Sequence, residues 1–254
     1  MTGWDALAEE LAQWSEAGRV ATLWWRDDDA VAATPALARL LEAARVPLAL
    51  AVIPGLLEQS LAAALRHRPD IAVLQHGFKH RNHEPAGMKN AELGGSRSPA
   101  ELAADLASGW RSLRDAFGNR ALPVLTPPWN RIAPAHLAAL PDWGYCGIST
   151  YLARRTAYPV AELLQVNTHI DVIDWHGGKV FVGEVAALRL LTGHLRARRV
   201  GEADPDEPTG LLTHHLVHDA ATWAFLDQLQ DWLSRQAMIR WLSTGEVFGG
   251  CDRG

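Results

Sequence analysis

Apolar and polar positions along this chain follow two rhythms. Short apolar runs rich in β-formers predict strands at residues 20–25, 46–53, 71–74, 122–125, 145–148, 166–173, 211–213 and 239–242. Between them, apolar residues recur every three or four positions. Leu37, Leu40, Leu41 and Ala44 make one helical stripe; Leu102, Leu106, Trp110 and Leu113 make another. Helices are predicted over 35–44, 56–66, 98–118, 134–140, 183–199 and 220–236, and an N-terminal amphipathic helix ends near Gly18. Ser98-Pro99-Ala100-Glu101 reads as a capping box with proline in the first turn. Strand and helix alternating over the whole length predict an α/β fold. The expected form is an irregular parallel (β/α) barrel of about seven to eight strands in one domain. Residues 1–19 are expected to pack on it as a helix, with 20–254 forming the barrel. A doubly wound open sheet is the alternative.

Two segments break the rhythm. Residues 77–97 form a long polar loop containing glycines, and that length points to function rather than simple connection. Residues 201–208 are acidic and are expected to be an exposed loop. The first strand also stops in an unusual way, at Trp24-Trp25-Arg26-Asp27-Asp28-Asp29. Three adjacent carboxylates at a strand end repel one another and resist desolvation unless a positive group lies among them. A solvated acidic turn or a helix cap is the ordinary alternative.

Composition narrows the possibilities. The net charge is −5 and no basic stripe is present, so nucleic acid is not an expected partner. No stretch is long and apolar enough to span a bilayer. The first eighteen residues are amphipathic and acidic, unlike a secretion signal, and a cytoplasmic protein is expected. Two cysteines, Cys146 and Cys251, imply no disulfide framework. Eleven tryptophans are many for 254 residues; Trp24 and Trp25 are read as core, Trp129 and Trp175 as core or as faces for a ligand.

In parallel α/β folds the site forms at the C-terminal strand ends. Eight of the eleven histidines (76, 80, 83, 169, 176, 214, 215 and 218) fall in or beside such ends, which argues for one polar mouth. His76 and His80, four apart on one turn, suit a single metal ion, and one carboxylate of the triplet would complete a two-His, one-Asp set with open positions. Catalytic zinc uses such a set, and so do non-haem iron oxygenases. His83 is expected to be solvated, His215 to point away from His214, and Asp219 to be an N-cap.

The order of these segments resembles the polysaccharide deacetylase family, carbohydrate esterase family 4, from about residue 20 to about residue 243. Trp25-Arg26-Asp27-Asp28-Asp29 is similar to its Thr-Phe-Asp-Asp-Gly motif, and His76 to His80 to its His-x-x-x-His motif. Thr126-Pro127-Pro128-Trp129 is similar to Arg-x-Pro-aromatic. Asp171-x-x-Asp174-Trp175 and Leu212-Thr213-His214 are similar to its last two motifs. The resemblance implies a metal-dependent hydrolase that removes an acetyl group from an N- or O-acetylated sugar or oligosaccharide. The implied metal is a divalent ion, zinc first, with Co, Mn, Fe or Ni as alternatives.

By the preferred register, Asp27 is the base and Asp28, His76 and His80 hold the metal; shifted by one, Asp28 is the base and Asp29 the ligand. His214 is the implied acid, oriented by Asp171 or Asp174. Trp129 and Trp175 are implied at the substrate, with the Trp129 N–H at the oxyanion. Asp29 stands where the family has Gly, and Thr126 where it has the Arg that orients the base; Arg26 or Arg131 could supply that charge. Two other readings remain: a related amidase acting on a non-sugar C–N bond, and a non-catalytic carbohydrate-binding protein.

Overall fold

The computed structural model describes residues 2–249 and 251. Its strands are β1 (Ala21–Ala30), β2 (Leu48–Val52), β3 (Ile71–His76), β4 (Ala121–Thr126), β5 (Gly147–Ile148), β6 (Leu164–Gln165), β7 (Ile170–Asp171), β8 (Ile173–Asp174), β9 (Val180–Phe181), β10 (Thr209–Thr213) and β11 (Ile239–Trp241). Its helices are α1 (Gly3–Glu16), α2 (Pro35–Ala43), α3 (Gln59–Ala64), α4 (Pro99–Phe117), α5 (Pro134–Ala139), α6 (Glu184–Val200), α7 (Ala220–Ser234) and α8 (Thr244–Val247). Eight parallel strands run in the order β6-β5-β4-β3-β2-β1-β10-β7, and β11 joins the start of β1. This is the expected irregular (β/α) barrel.

The barrel comes close to closing through one segment. Val166 and Thr168 donate backbone N–H groups to Ile148 and Thr150 on one edge, whereas His169 donates to Gly210 on the other. The expected strand over 166–173 is therefore not continuous. It changes neighbour at His169, and its last residues leave the barrel as β8, which pairs antiparallel with β9.

Side-chain parity along the strands divides the core. Leu23, Trp25, Leu48, Leu50, Val52, Ile71 and Val73 point outward and pack on the helices. Trp24, Ala49, Ala51, Leu74, Val124 and Val166 point inward, closed below by Val247 and Phe248. Small alanines on β2 leave room for the Trp24 indole, whose Nε1–H donates to the Asn167 carbonyl (3.0 Å). Helix α1 is capped by Thr2 and buries Leu7, Leu11 and Trp14 in the outer layer. Helix α7 starts at its N-cap Asp219, as its sequence predicts.

Three expectations change. β1 does not stop at the triplet; it runs through it to Ala30, with a register irregularity against β2 between Asp27 and Ala30. The acidic segment 201–208 is not simply an exposed loop. Glu207 is fully buried and accepts the backbone N–H groups of Arg154 (2.9 Å) and Asn167 (2.8 Å). Cys146 and Cys251 are joined by a disulfide, with Cα atoms 5.5 Å apart.

Gly210 faces the barrel interior, where an added Cβ would lie 2.6 Å from both Trp24 Nε1 and the Asn167 carbonyl. Gly210→Ala is expected to lower unfolding free energy by about 1–3 kcal/mol through overpacking. A urea midpoint equal to that of the wild type would show that Trp24 does not fill the barrel as described.

Candidate active site

The same parity carries into the charged end of β1. Arg26 and Asp28 follow Trp24 on the inner face, while Asp27 follows Trp25 on the outer face. Plain alternation would send Asp29 outward as well. It does not, because Asp29 has a positive φ of 71° inside the irregular stretch of β1. Asp tolerates this conformation better than most residues. A bulge of this kind re-aims a side chain at a strand end. Two successive carboxylates, Asp28 and Asp29, therefore serve the mouth.

Each of the three has its own partner. Asp27 is fully buried and accepts three hydrogen bonds: from the Thr213 hydroxyl (2.6 Å), from the His215 backbone N–H (3.0 Å) and, at short range, from His215 Nδ1–H. Burial alone would raise its pKa; the His215 imidazole outweighs that and holds it low. His215 is conversely depressed by burial but raised overall by Asp27. Asp28 is gripped bidentately by Arg26, with Nε to Oδ1 at 2.8 Å and Nη2 to Oδ2 at 3.0 Å. The remaining Arg26 donors reach Ser149 Oγ (2.6 Å), Asn130 Oδ1 (3.0 Å) and the Thr150 carbonyl (3.3 Å), so this buried guanidinium is saturated. Asp29 Oδ1 lies 3.2 Å from His76 Nε2 and 3.5 Å from His80 Nε2.

The donor set fits a divalent metal. Asp29 Oδ1 is buried and accepts no hydrogen bond. His76 Nδ1 donates to the Thr126 carbonyl (2.9 Å), so Nε2 is the atom turned toward Asp29 and is the one a metal would take from the neutral ring. Burial would raise the Asp29 carboxyl, but His76, His214 and His80 hold it well below the usual range. His80 is pushed down, first by burial and then by His76, which favours the neutral ligand form. Asp29, His76 and His80 can thus converge on one ion.

His214 closes the other side. Its Nε2 is 3.9 Å from Asp28 Oδ2, and its ring packs edge-on against Trp175, with centroids 4.6 Å apart. Trp175 Nε1–H donates to Asp171 (2.8 Å), and Asp171 also accepts the Ile173 N–H (3.0 Å). Burial raises the Asp171 carboxyl despite the nearby His214. Trp129, itself at φ 56°, lies over His80 at 4.3 Å.

Several expected roles fall elsewhere. Asp29, not Asp28, makes the close approach to the imidazole pair, because the bulge moves the register by one. Asp27 faces the helix side of the sheet, out of reach of the mouth. Asp174 caps its own turn, accepting from the His176 (3.0 Å) and Gly177 (2.8 Å) amides, and is not a partner of His214. Arg131 donates to the Asn90 carbonyl (2.8 Å) and holds the 77–97 loop rather than a carboxylate. His83 stays outside the cluster, and His176 is exposed.

His169 is not at the mouth either. It lies at the opposite end of the barrel with His194 and Glu207. That trio is a poor metal site: His169 Nδ1 accepts the Gly210 N–H (2.9 Å), so the neutral ring carries its proton on Nε2, the atom a metal would need. Sequence reasoning missed Ser149, Asn130 and Glu92. Asn130 directly follows the Thr126–Trp129 motif, whereas Ser149 and Glu92 carry no local signal.

No family model matches the sequence, and no curated protein matches it. Solved structures do. A putative polysaccharide deacetylase from Mycobacterium smegmatis is similar, with a TM-score of 0.63 and 16% identity, covering 91% of this chain and 90% of that one. A carbohydrate esterase family 4 esterase from Streptococcus mutans is similar at 0.57 and 15% identity, covering 93% and 90%. A 4-alpha-glucanotransferase from Thermococcus litoralis is similar at 0.57 and 10% identity, covering 91% of this chain but 40% of that one. The chain shares the fold of these proteins. A shared fold does not define an activity, so function must be argued from the site.

Asp27→Asn is expected to cost about 3 kcal/mol of unfolding free energy, because it leaves a buried imidazole without its counter-charge. Metal affinity should stay within a few-fold of the wild type. A folded Asp27→Asn protein that has lost metal would place the ligand at Asp27 instead.

Proposed function

We propose that the chain is a member of the polysaccharide deacetylase family and a metal-dependent carbohydrate deacetylase, acting on N-acetyl or O-acetyl groups. The observation that carries this reading is the separation of Asp28 from Asp29. One carboxylate faces the imidazole pair, while its neighbour is paired with Arg26 and lies 3.9 Å from His214. A metal hydrolase needs a ligand and a base side by side, and an acid opposite them. The deacetylases among the structural neighbours support the choice of acetylated carbohydrate.

Asp29, His76 and His80 would hold the ion, most simply zinc. A divalent ion in such a set polarises a carbonyl and lowers the pKa of water. Asp28, fixed in orientation by Arg26, accepts the proton of the attacking water. The Arg26 fork uses both carboxylate oxygens without removing their remaining lone pairs. His214, across from Asp28, delivers a proton to the leaving amine or alkoxide. Asp171 and Trp175 fix the place of His214: the carboxylate holds the indole, and the indole packs at a steep angle against the imidazole. Trp175 is 38% exposed despite its hydrogen bond, enough to offer a face to a sugar ring. Arg26 performs here the task of the arginine that Thr126 replaces, which removes the main reason to prefer a non-sugar amidase. His214 beside Asp28 likewise argues against a purely carbohydrate-binding role.

Chelation and His76→Ala are both expected to abolish deacetylation of acetylated oligosaccharides. Asp28→Asn should keep its metal and lose about 10²–10⁴-fold in kcat. Asp29→Asn should lose the metal itself, read by elemental analysis. Chelator-resistant turnover would end the metal reading.

His214→Ala is expected to retain metal and lose turnover, with a smaller loss on substrates whose leaving group needs no proton, such as aryl acetates. An equal loss on both would deny His214 the role of acid.

A further inference from the structure

The turn that carries His80 has an unusual backbone. Gly77 and His80 both adopt positive φ, 56° and 53°, and for His80 this is a left-handed conformation that L side chains rarely take. Between them, three successive amides, those of Phe78, Lys79 and His80, point to one side. All three donate to a single carboxylate, Glu92: Phe78 N to Oε2 at 3.1 Å, Lys79 N to Oε1 at 2.7 Å and His80 N to Oε2 at 3.2 Å. Such a concave row of N–H groups is an anion-binding nest. Here the anion is a buried side chain, 1% exposed, from the far end of the 77–97 loop.

Two carbonyls of the turn are also held. Gln75 Nε2 donates to the Gly77 carbonyl (3.0 Å), and the Gly55 N–H donates to the Phe78 carbonyl (2.7 Å). Gly77 cannot carry a Cβ, which would overlap Glu92 Oε2. Glu92 in turn sits between two anchored residues. Ala91 accepts the His83 N–H (3.0 Å), and Leu93 forms a bridge with Ile132 and accepts the Ala133 N–H (2.9 Å). The long loop thus goes out over the surface and returns to deliver one carboxylate beneath the second imidazole.

We propose that Glu92 is a positioning residue: it locks the left-handed turn that brings His80 Nε2 toward Asp29, and so sets the metal affinity of the site. This rests on the metal reading above. Asp29 and His76 are fixed by strands β1 and β3, but His80 lies beyond any strand. Without the carboxylate, three amides lose their common acceptor, and the strained φ of His80 loses the only hydrogen bond that its own amide makes among the described residues.

The test is calorimetric titration of metal-free protein with Co²⁺, together with the visible spectrum of the bound ion. Glu92→Gln keeps one acceptor oxygen but presents an NH₂ group to the amides, so it should weaken binding about tenfold. Glu92→Ala should weaken it up to about 100-fold, as loss of supporting contacts to metal ligands does. Both should alter the Co²⁺ absorption bands, while circular dichroism of the metal-free proteins stays native. Should Glu92→Ala fail to fold, the near-isosteric Glu92→Gln decides. Wild-type affinity with an unchanged spectrum in folded Glu92→Gln and Glu92→Ala would overturn the proposal. Failure of the metal reading looks different: the wild type itself would take up no Co²⁺, or His76→Ala would bind it as tightly.

Discussion

Three neighbouring carboxylates can be folded into a barrel end only if each is neutralised separately, and this constraint organises the site. The partners come from different directions. His215, after β10, takes Asp27 on the outer face. Arg26, two residues back on the inner face, takes Asp28. Asp29 faces His76 and His80, the pair with which it would hold a cation. Parity separates the first from the second, and one left-handed residue separates the second from the third. A buried ion pair adds little net stability once desolvation is counted, but breaking one is costly. The arrangement is therefore better understood as fixing geometry than as holding the barrel together. It sets a base and a ligand on adjacent residues, aimed at the same space.

Much of this was legible in the sequence. Apolar runs and helical stripes gave the (β/α) alternation, because a barrel strand buried on both faces must be apolar throughout. Among the histidines at strand ends, His76, His80 and His214 line the mouth, whereas His83, His169, His176 and His215 of the same count lie elsewhere. Assignment within the triplet was not legible. A motif with two acids can be laid on three in two ways, and only the bulge at Asp29 chooses between them. Period-two alternation, applied strictly, would have paired Asp27 with Asp29. Asp174 illustrates another limit: its carboxylate satisfies its own turn, a local use that spacing cannot distinguish from a catalytic one.

The long-range pairings were the least visible. Glu92 lies in a polar loop with nothing to mark it among its neighbours, yet it satisfies three amides of the His80 turn. Glu207 lies in an acidic segment that reads as solvated, yet it is buried under two backbone donors. Cys146 and Cys251 are 105 residues apart and pair across the end of the barrel.

The proposed chemistry depends on which carboxylate binds the ion. Anomalous diffraction at the zinc edge from zinc-loaded crystals tests this directly. The predicted result is a single strong peak about 2.0–2.2 Å from an Asp29 oxygen and from Nε2 of His76 and His80, with Asp28 still paired to Arg26. A peak bonded to Asp27 or Asp28, or one at His169, His194 and Glu207 instead, would contradict it.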